Sequence, residues 1–116
     1  MARRIVLSID QGTDTQVSVS VHDSTGQAVD IAAARMQLRP SIESETVSDE
    51  LTTENERISL DEGTLVLSFP NATTSGMNAG VYAYDLEVVS SQGMVTRVME
   101  GTVTIRPEVT RSDESD

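Results

Sequence analysis

The amino-acid sequence predicts a single all-β domain, an antiparallel β-sandwich of seven or eight short strands. Apolar and polar residues alternate with a period of two along most of the chain, as they do in strands with one buried face. Turn-forming residues recur about every ten positions, which is typical of all-β domains. The chain offers no amphipathic helix of the length that a parallel sheet needs for its crossovers. Its 116 residues fit one domain.

The first half of the chain supplies three of these strands. Residues 5–9 and 17–21 alternate regularly. Residues 23–27 carry the Asp and Gly of a tight reversal, which predicts a hairpin. Residues 34–38 begin in an alanine run that suits a helix on propensity alone. Because they also alternate and Pro40 follows them, we favour a strand.

The second half supplies the remaining elements. Residues 57–69 are expected to form a hairpin, and residues 71–80 a connection with one helical turn that crosses between sheets. Residues 81–89 and 94–105 are the last strands, with a bulge expected at Gly101. The pattern is typical of an immunoglobulin-like sandwich. A small closed barrel is the competing architecture.

The expected sandwich domain covers residues 1–109, and residues 110–116 form an acidic, flexible tail. Within the domain, residues 43–56 are rich in carboxylates and lose the alternation, which predicts a long loop. Structureless loops beyond about 12 to 15 residues are uncommon unless they are functional or disordered, so this acidic loop is the preferred docking surface. Its candidate contact residues are Glu43, Glu45, Val47 and Leu51. The two apolar ones could instead anchor a short edge strand or helical turn.

Two further pairs are candidates for a protein interface. Tyr82 and Tyr84 occupy one face of a predicted strand and could present an amphipathic contact pair. The alternative is that one of them belongs to the core, with its hydroxyl bonded to a loop. Arg3 and Arg4 are adjacent cations on an acidic protein and could pair with an acidic neighbour.

Charge and hydropathy exclude several kinds of partner. The formal net charge of −11 opposes binding to a phosphate backbone, and three aromatic side chains give no platform for stacking bases, so nucleic acid is not an expected partner. Arg3 and Arg4 precede an apolar run too short for a secretory signal. No stretch approaches membrane length, and a membrane partner is not expected either.

Catalysis, cofactors and metal ions are not expected. The chain has no cysteine, which excludes disulfides and thiolate chemistry. His22, the lone histidine, lies on the polar side of a predicted strand, and nothing near it in sequence suggests a triad. Four acidic residues lie in predicted turns but lack the spacing of a calcium loop: Asp10, Asp14, Asp61 and Glu62. A hydrolase is therefore disfavoured, since no nucleophile and base can be paired.

The order of several segments along the chain also carries information. They are Ile9–Gly12, Asp23–Asp30, Ala34–Arg39, Gly80–Glu87 and Arg97–Arg111. In this order they resemble a group of small bacteriophage virion proteins with an immunoglobulin-like domain, similar in style to the amino-terminal domains of baseplate upper proteins. One departure is that Ile-Ala-Ala follows Asp30 where such proteins usually have Leu-Thr-Gly.

The resemblance implies a non-enzymatic virion structural protein, an accessory module docked on the tail, baseplate or fibre. Decoration of the capsid surface is the alternative, and a carbohydrate-binding module for host adsorption is a further one. Its partners would be other virion proteins, contacted by multiple copies in a symmetric assembly. Its location would be the virion, assembled in the host cytoplasm. The resemblance carries over no catalytic residue.

Overall fold

A computed structural model describes residues 2–22, 25–27, 29–61 and 63–110. The chain forms two β-sheets that pack face to face. Their strands are β1 (Arg3–Arg4), β2 (Leu7–Asp10), β3 (Thr15–Ser20), β4 (Ala33–Arg39), β5 (Asp49–Thr52), β6 (Ile58–Asp61), β7 (Thr64–Phe69), β8 (Gly80–Val89) and β9 (Val95–Arg106), and a helical turn, α1 (Asn71–Thr74), joins β7 to β8.

The larger sheet has the strand order β1-β9-β8-β4-β5, with β2 also pairing with β9, and the smaller sheet has the order β3-β7-β6. β1 and β2 run parallel to β9, and the remaining pairs are antiparallel. The expected immunoglobulin-like sandwich is confirmed. Two separate sheets are present in place of the closed barrel that the sequence left open.

The core lies between the sheets and is built by the alternation seen in the sequence. In β4, Ala34, Met36 and Leu38 are at most 2% exposed, while the residues between them face outward. The smaller sheet contributes an equivalent inward row of buried side chains: Val19, Ile58, Leu65, Leu67 and Phe69. Burying a large apolar side chain contributes about 1.5 to 3 kcal/mol, so these two rows hold the sheets together.

The connection through α1 forms as expected and is fixed to the turn after β2. Thr74 is fully buried. Its hydroxyl donates to the Thr13 carbonyl (2.9 Å) and accepts from the Gly12 N–H (3.0 Å). Asn71 at the start of α1 donates its backbone N–H to the Asp14 carboxylate (2.7 Å), which lowers the pKa of that carboxyl.

The expected hairpin between the second and third strands is wrong in its pairing. β3 pairs with β7, whereas β4 pairs with β5 and β8 in the other sheet. The Val29 N–H donates to the Val21 carbonyl (3.4 Å), so the chain does reverse, but it then crosses the sandwich. Residues 23, 24 and 28 of the expected turn lie outside the described residues.

The bulge near the end of the chain lies earlier than expected. The register between β8 and β9 shifts between Leu86 and Glu87, which oppose Met99 and Arg97. Gly101 itself stays paired, opposite Tyr84, at a φ of 148°. A side chain there would collide with the carbonyl group of Ile5. This glycine therefore allows the segment between β1 and β2 to lie close against β9.

Candidate protein-interaction site

The acidic segment 43–56 is only partly a loop. Glu43 and Glu45 are exposed, and Val47 is 40% exposed, in the connection between β4 and β5. The segment then forms β5, which is the short edge strand predicted from the sequence as the alternative to a loop. Leu51 in β5 is fully buried, so its side chain is not available to a partner.

An ion pair fixes this segment to the opposite sheet. The Arg57 guanidinium donates to both carboxylate oxygens of Asp49 (2.7 and 3.2 Å). Its Nε donates to the Ser68 carbonyl in β7 (2.8 Å). Both side chains are largely buried, with 17% and 9% of their surface exposed. Part of the acidity at 43–56 therefore has a structural role.

The two tyrosines use their hydroxyls within the fold. Tyr84 is 5% exposed, and its hydroxyl donates to the Ile5 carbonyl (2.8 Å). The Tyr82 hydroxyl donates to the Asn78 carbonyl four residues upstream (2.6 Å), the geometry of the tyrosine corner of immunoglobulin-like domains. Tyr84 therefore belongs to the core, with its hydroxyl bonded to a loop, whereas Tyr82 is only partly buried.

The two arginines of β1 face different surroundings. Arg4 pairs with Glu100 (3.1 Å). Arg3 donates to the Ser20 carbonyl at the end of β3 (3.3 Å), and it forms no ion pair with any residue that the structure describes. Arg3 therefore bridges the two sheets at one side of the sandwich.

The outer face of the larger sheet neutralises its own charges. Arg35 pairs with Glu87 (2.9 Å), and Arg97 contacts both Asp85 (3.4 Å) and Glu100 (3.2 Å). Exposed ion pairs of this kind contribute little to stability. A partner docking on this face would have to displace or bury these pairs.

The free edge of β3 differs from this face, because its backbone has hydrogen-bonding groups that no neighbouring strand uses. The Val21 N–H donates to the Gly63 carbonyl (2.7 Å), one position beyond the Ser20–Thr64 pair. Antiparallel bonding alternates along a strand, so the odd-numbered residues of β3 bond to β7. The N–H and C=O groups of Gln16, Ser18 and Ser20 therefore point away from β7.

Two contacts elsewhere agree with this alternation. The Ser68 N–H donates to the Arg57 carbonyl (2.8 Å), which places the even-numbered residues of β7 against β6 and leaves the odd-numbered ones for β3. The Ser20 carbonyl accepts its hydrogen bond from Arg3, on the side away from β7. The side chains of the three residues with outward-pointing groups, Gln16, Ser18 and Ser20, are exposed as well.

The other edges of the described sheets are short, charged or interrupted. β5 carries Asp49 and Glu50 in four residues, β6 carries Asp61 in four, and β1 and β2 are separated by residues 5–6. Charges and short strands are the usual means of preventing pairing with another chain. β3, with the sequence TQVSVS, has neither a charge nor a proline. It is the best site for strand addition in the described part of the molecule.

The described residues hold neither a cluster of metal ligands nor a membrane-spanning helix. Within them, no group of three or more His, Cys, Asp or Glu side chains is placed to hold a metal ion. No helix among them has the length and apolar character to span a membrane.

The solved structure of CopC from Methylosinus trichosporium OB3b is similar to this chain. The two superpose with a TM-score of 0.52 at 15% sequence identity, over 91% of this chain and 90% of CopC. At this identity the similarity shows a shared fold alone. No protein-family model matches the chain, and the search of curated proteins gives no match.

The expected bacteriophage virion role is wrong. The comparisons give a structural similarity to CopC in place of any virion protein, and nothing in them indicates a bacteriophage origin. Of the two tyrosines that a carbohydrate-binding module could use, Tyr84 is buried and Tyr82 is partly buried.

Proposed function

We propose that this chain is a non-catalytic protein-binding module that accepts an extended segment of a partner protein as an additional strand beside β3. The observation that carries the proposal is the row of outward backbone groups at Gln16, Ser18 and Ser20. These residues are two apart, which spaces their groups by about 6.8 Å. That is the repeat an incoming strand needs to form its own hydrogen bonds.

Main-chain hydrogen bonds supply the affinity in this mode of recognition, and side chains supply the specificity. Gln16, Ser18 and Ser20 are exposed and uncharged, so they favour polar or small side chains on the facing strand. The net charge of −11 attracts basic segments and repels acidic ones over longer distances. The partner segment is therefore extended, polar on one face and neutral or basic overall.

A binding role also fits the chemistry of the side chains. The chain has one histidine and no cysteine, and the proposed recognition requires no acid–base or nucleophilic side chain. The outward groups of β3 belong to the backbone, and they require hydrogen-bonding partners rather than a substrate.

The test uses ten-residue peptides selected from a random library on the immobilised protein. Their affinities are then measured by calorimetry against the wild type and Ser18→Pro. Proline at 18 removes one outward N–H and leaves the bonds to β7 in place, because Ser18 does not bond to β7. We expect selected peptides to bind Ser18→Pro at least tenfold more weakly. Ser18→Lys, which adds a charge to this edge without changing its backbone, should also weaken them.

The matched control is Leu60→Pro on the opposite edge of the same sheet. Because Arg57 bonds to Ser68 and Ile58 pairs with Leu67, Leu60 also directs its N–H away from β7. This variant should bind the selected peptides as the wild type does. Equal binding by wild type, Ser18→Pro and Ser18→Lys would overturn the proposal, as would a library that yields no binder.

A further inference from the structure

A groove opens between the two sheets at the end of β3. Its volume is about 540 Å³, within the range of about 300 to 1,000 Å³ usual for small-ligand sites. Arg3 and His22 supply polar groups to its wall. From its lining we infer that this groove binds a carboxylate carried on a short apolar group.

The apolar part of the ligand is indicated by four valines. Val21 and Val88 are 8% and 3% exposed and form part of the core. Val29 and Val98 are partly buried and pack against it. Val21 and Val88 are therefore the already buried floor of the groove. Val29 and Val98 offer the apolar surface that a ligand can remove from water, at about 25 cal/mol for each Å². A fully polar ligand would leave them without a partner.

The carboxylate is indicated by Arg3. Five of the described arginines are in ion pairs: Arg4, Arg35, Arg57, Arg97 and Arg106. Arg39, away from the groove, donates to the Ser44 carbonyl and the Gln37 side chain. Arg3 instead donates one hydrogen bond to the Ser20 carbonyl. A guanidinium has five N–H groups, so donors remain for a ligand. Among the described residues that line the groove there is no Asp or Glu.

Arg97 also lines the groove, but its guanidinium contacts Asp85 and Glu100 and is already neutralised. Arg3 is thus the cation of the groove left for a ligand, and His22 is a second polar residue in its lining. On a chain of net charge −11, a cation without a carboxylate partner at an apolar groove favours an anionic ligand with an apolar body.

Such a carboxylate has two sources. One is a free small acid, which requires nothing of β3. The other is the C-terminus of a polypeptide ending in an apolar residue, and this case rests on the proposed strand addition. Since the groove lies at the Ser20 end of β3, a docked strand with its C-terminus in the groove would run parallel to β3.

The primary experiment titrates hexanoate and its neutral analogue hexanamide into protein with ¹³C-labelled valine methyl groups. We expect hexanoate to shift the methyl signals of the four groove valines to saturation, with hexanamide binding at least tenfold more weakly. Arg3→Gln should weaken hexanoate at least tenfold. Arg4→Gln is the matched control, because Arg4 is the adjacent residue and pairs with Glu100, and it should leave hexanoate binding unchanged.

A second arm identifies the source, with a selected β3-binding peptide extended to end in valine, as the free acid and as the C-terminal amide. Tighter binding of the acid, lost in both Arg3→Gln and Ser18→Pro, assigns the groove to a chain terminus. If hexanoate still binds Ser18→Pro, and the acid and amide peptides bind the wild type with equal affinity, the groove binds a free acid. That result would hold whether or not a strand adds to β3. Equal binding of hexanoate and hexanamide, unchanged binding in Arg3→Gln, or no binding of either carboxylate would overturn the inference.

Discussion

Replacing Tyr84 by phenylalanine removes one hydroxyl from the interior and keeps the ring. That hydroxyl donates to the Ile5 carbonyl at 2.8 Å and ties the segment between β1 and β2 to the middle of β8. An intramolecular hydrogen bond contributes about 0.5 to 1.5 kcal/mol net, and leaving a buried acceptor unpaired costs about 1 to 3 kcal/mol. Since Tyr84 is 5% exposed, we expect Tyr84→Phe to lower the free energy of unfolding by about 1 to 3 kcal/mol.

The same side chain should give the wild type a distinctive alkaline transition. Burial raises the pKa of Tyr84 to about 12, with smaller opposing effects of Arg3 and Glu100. Because the folded-state pKa lies above the ordinary value of 10.0, the folded protein favours the neutral phenol. This contribution to stability is complete below pH about 10 and is lost as the pH rises towards 12.

The chain is well suited to this measurement, since it contains no lysine and arginine keeps its proton beyond about pH 12. Urea unfolding of wild type, Tyr84→Phe and the control Tyr82→Phe should be followed by circular dichroism from pH 7 to 12. The difference between wild type and Tyr84→Phe should shrink between pH 10 and 12. A difference below about 0.5 kcal/mol at pH 7, the lower limit for a hydrogen bond, or parallel profiles up to pH 12 would refute the reasoning.

Three further substitutions test the contacts that hold the sandwich together, each by urea unfolding at pH 7. Thr74→Val removes the buried hydroxyl that bonds two backbone groups of the 11–14 turn, and it should cost about 1 to 3 kcal/mol; an unchanged midpoint would contradict this. Asp49→Asn leaves the largely buried Arg57 without a counter-charge and should lower the free energy of unfolding by about 3 kcal/mol. A decrease below about 1 kcal/mol, typical of a surface pair, would show that the pair is solvated. Gly101→Ala places a methyl group against the Ile5 carbonyl at a φ of 148° and should destabilise by at least about 1 to 3 kcal/mol; wild-type stability would mean that the segment before β2 lies elsewhere.

Local alternation was sufficient to predict most strands. In β4 the sequence AARMQLR contains strong helix formers, yet the inward row of Ala34, Met36 and Leu38 identified a strand with one buried face. The helical turn of α1 was also predictable, because Pro70 and small polar residues follow β7. These features depend on neighbouring residues only.

Pairing depends on distant residues, and here prediction failed. Nothing between β3 and β4 indicates that β3 pairs with β7, some fifty residues along the chain. The same limit applies to β5. Leu51 was predicted to lie in a docking loop, whereas it is a buried residue of this strand. Alternation groups residues on one face, but it does not say whether that face is covered.

The candidate site shows this limit most clearly. β3 has a free edge because β1 and β2 pair with β9 rather than with β3, and the sequence of β3 does not determine that choice. A signal was present: Thr15–Ser20 has neither charge nor proline, whereas β5 and β6 have acidic residues. The virion interpretation failed for a different reason, since motifs that encode strands and turns recur in sandwiches of unrelated function.

Amide hydrogen exchange along β3, in the free protein and with a saturating selected peptide, tests the central claim most directly. In the free protein we expect the amides of Val17, Val19 and Val21 to be protected and those of Gln16, Ser18 and Ser20 to exchange rapidly. The peptide should protect the second set and leave the first unchanged. Slow exchange at Gln16 and Ser18 in the free protein, or no added protection with bound peptide, would contradict strand addition at this edge.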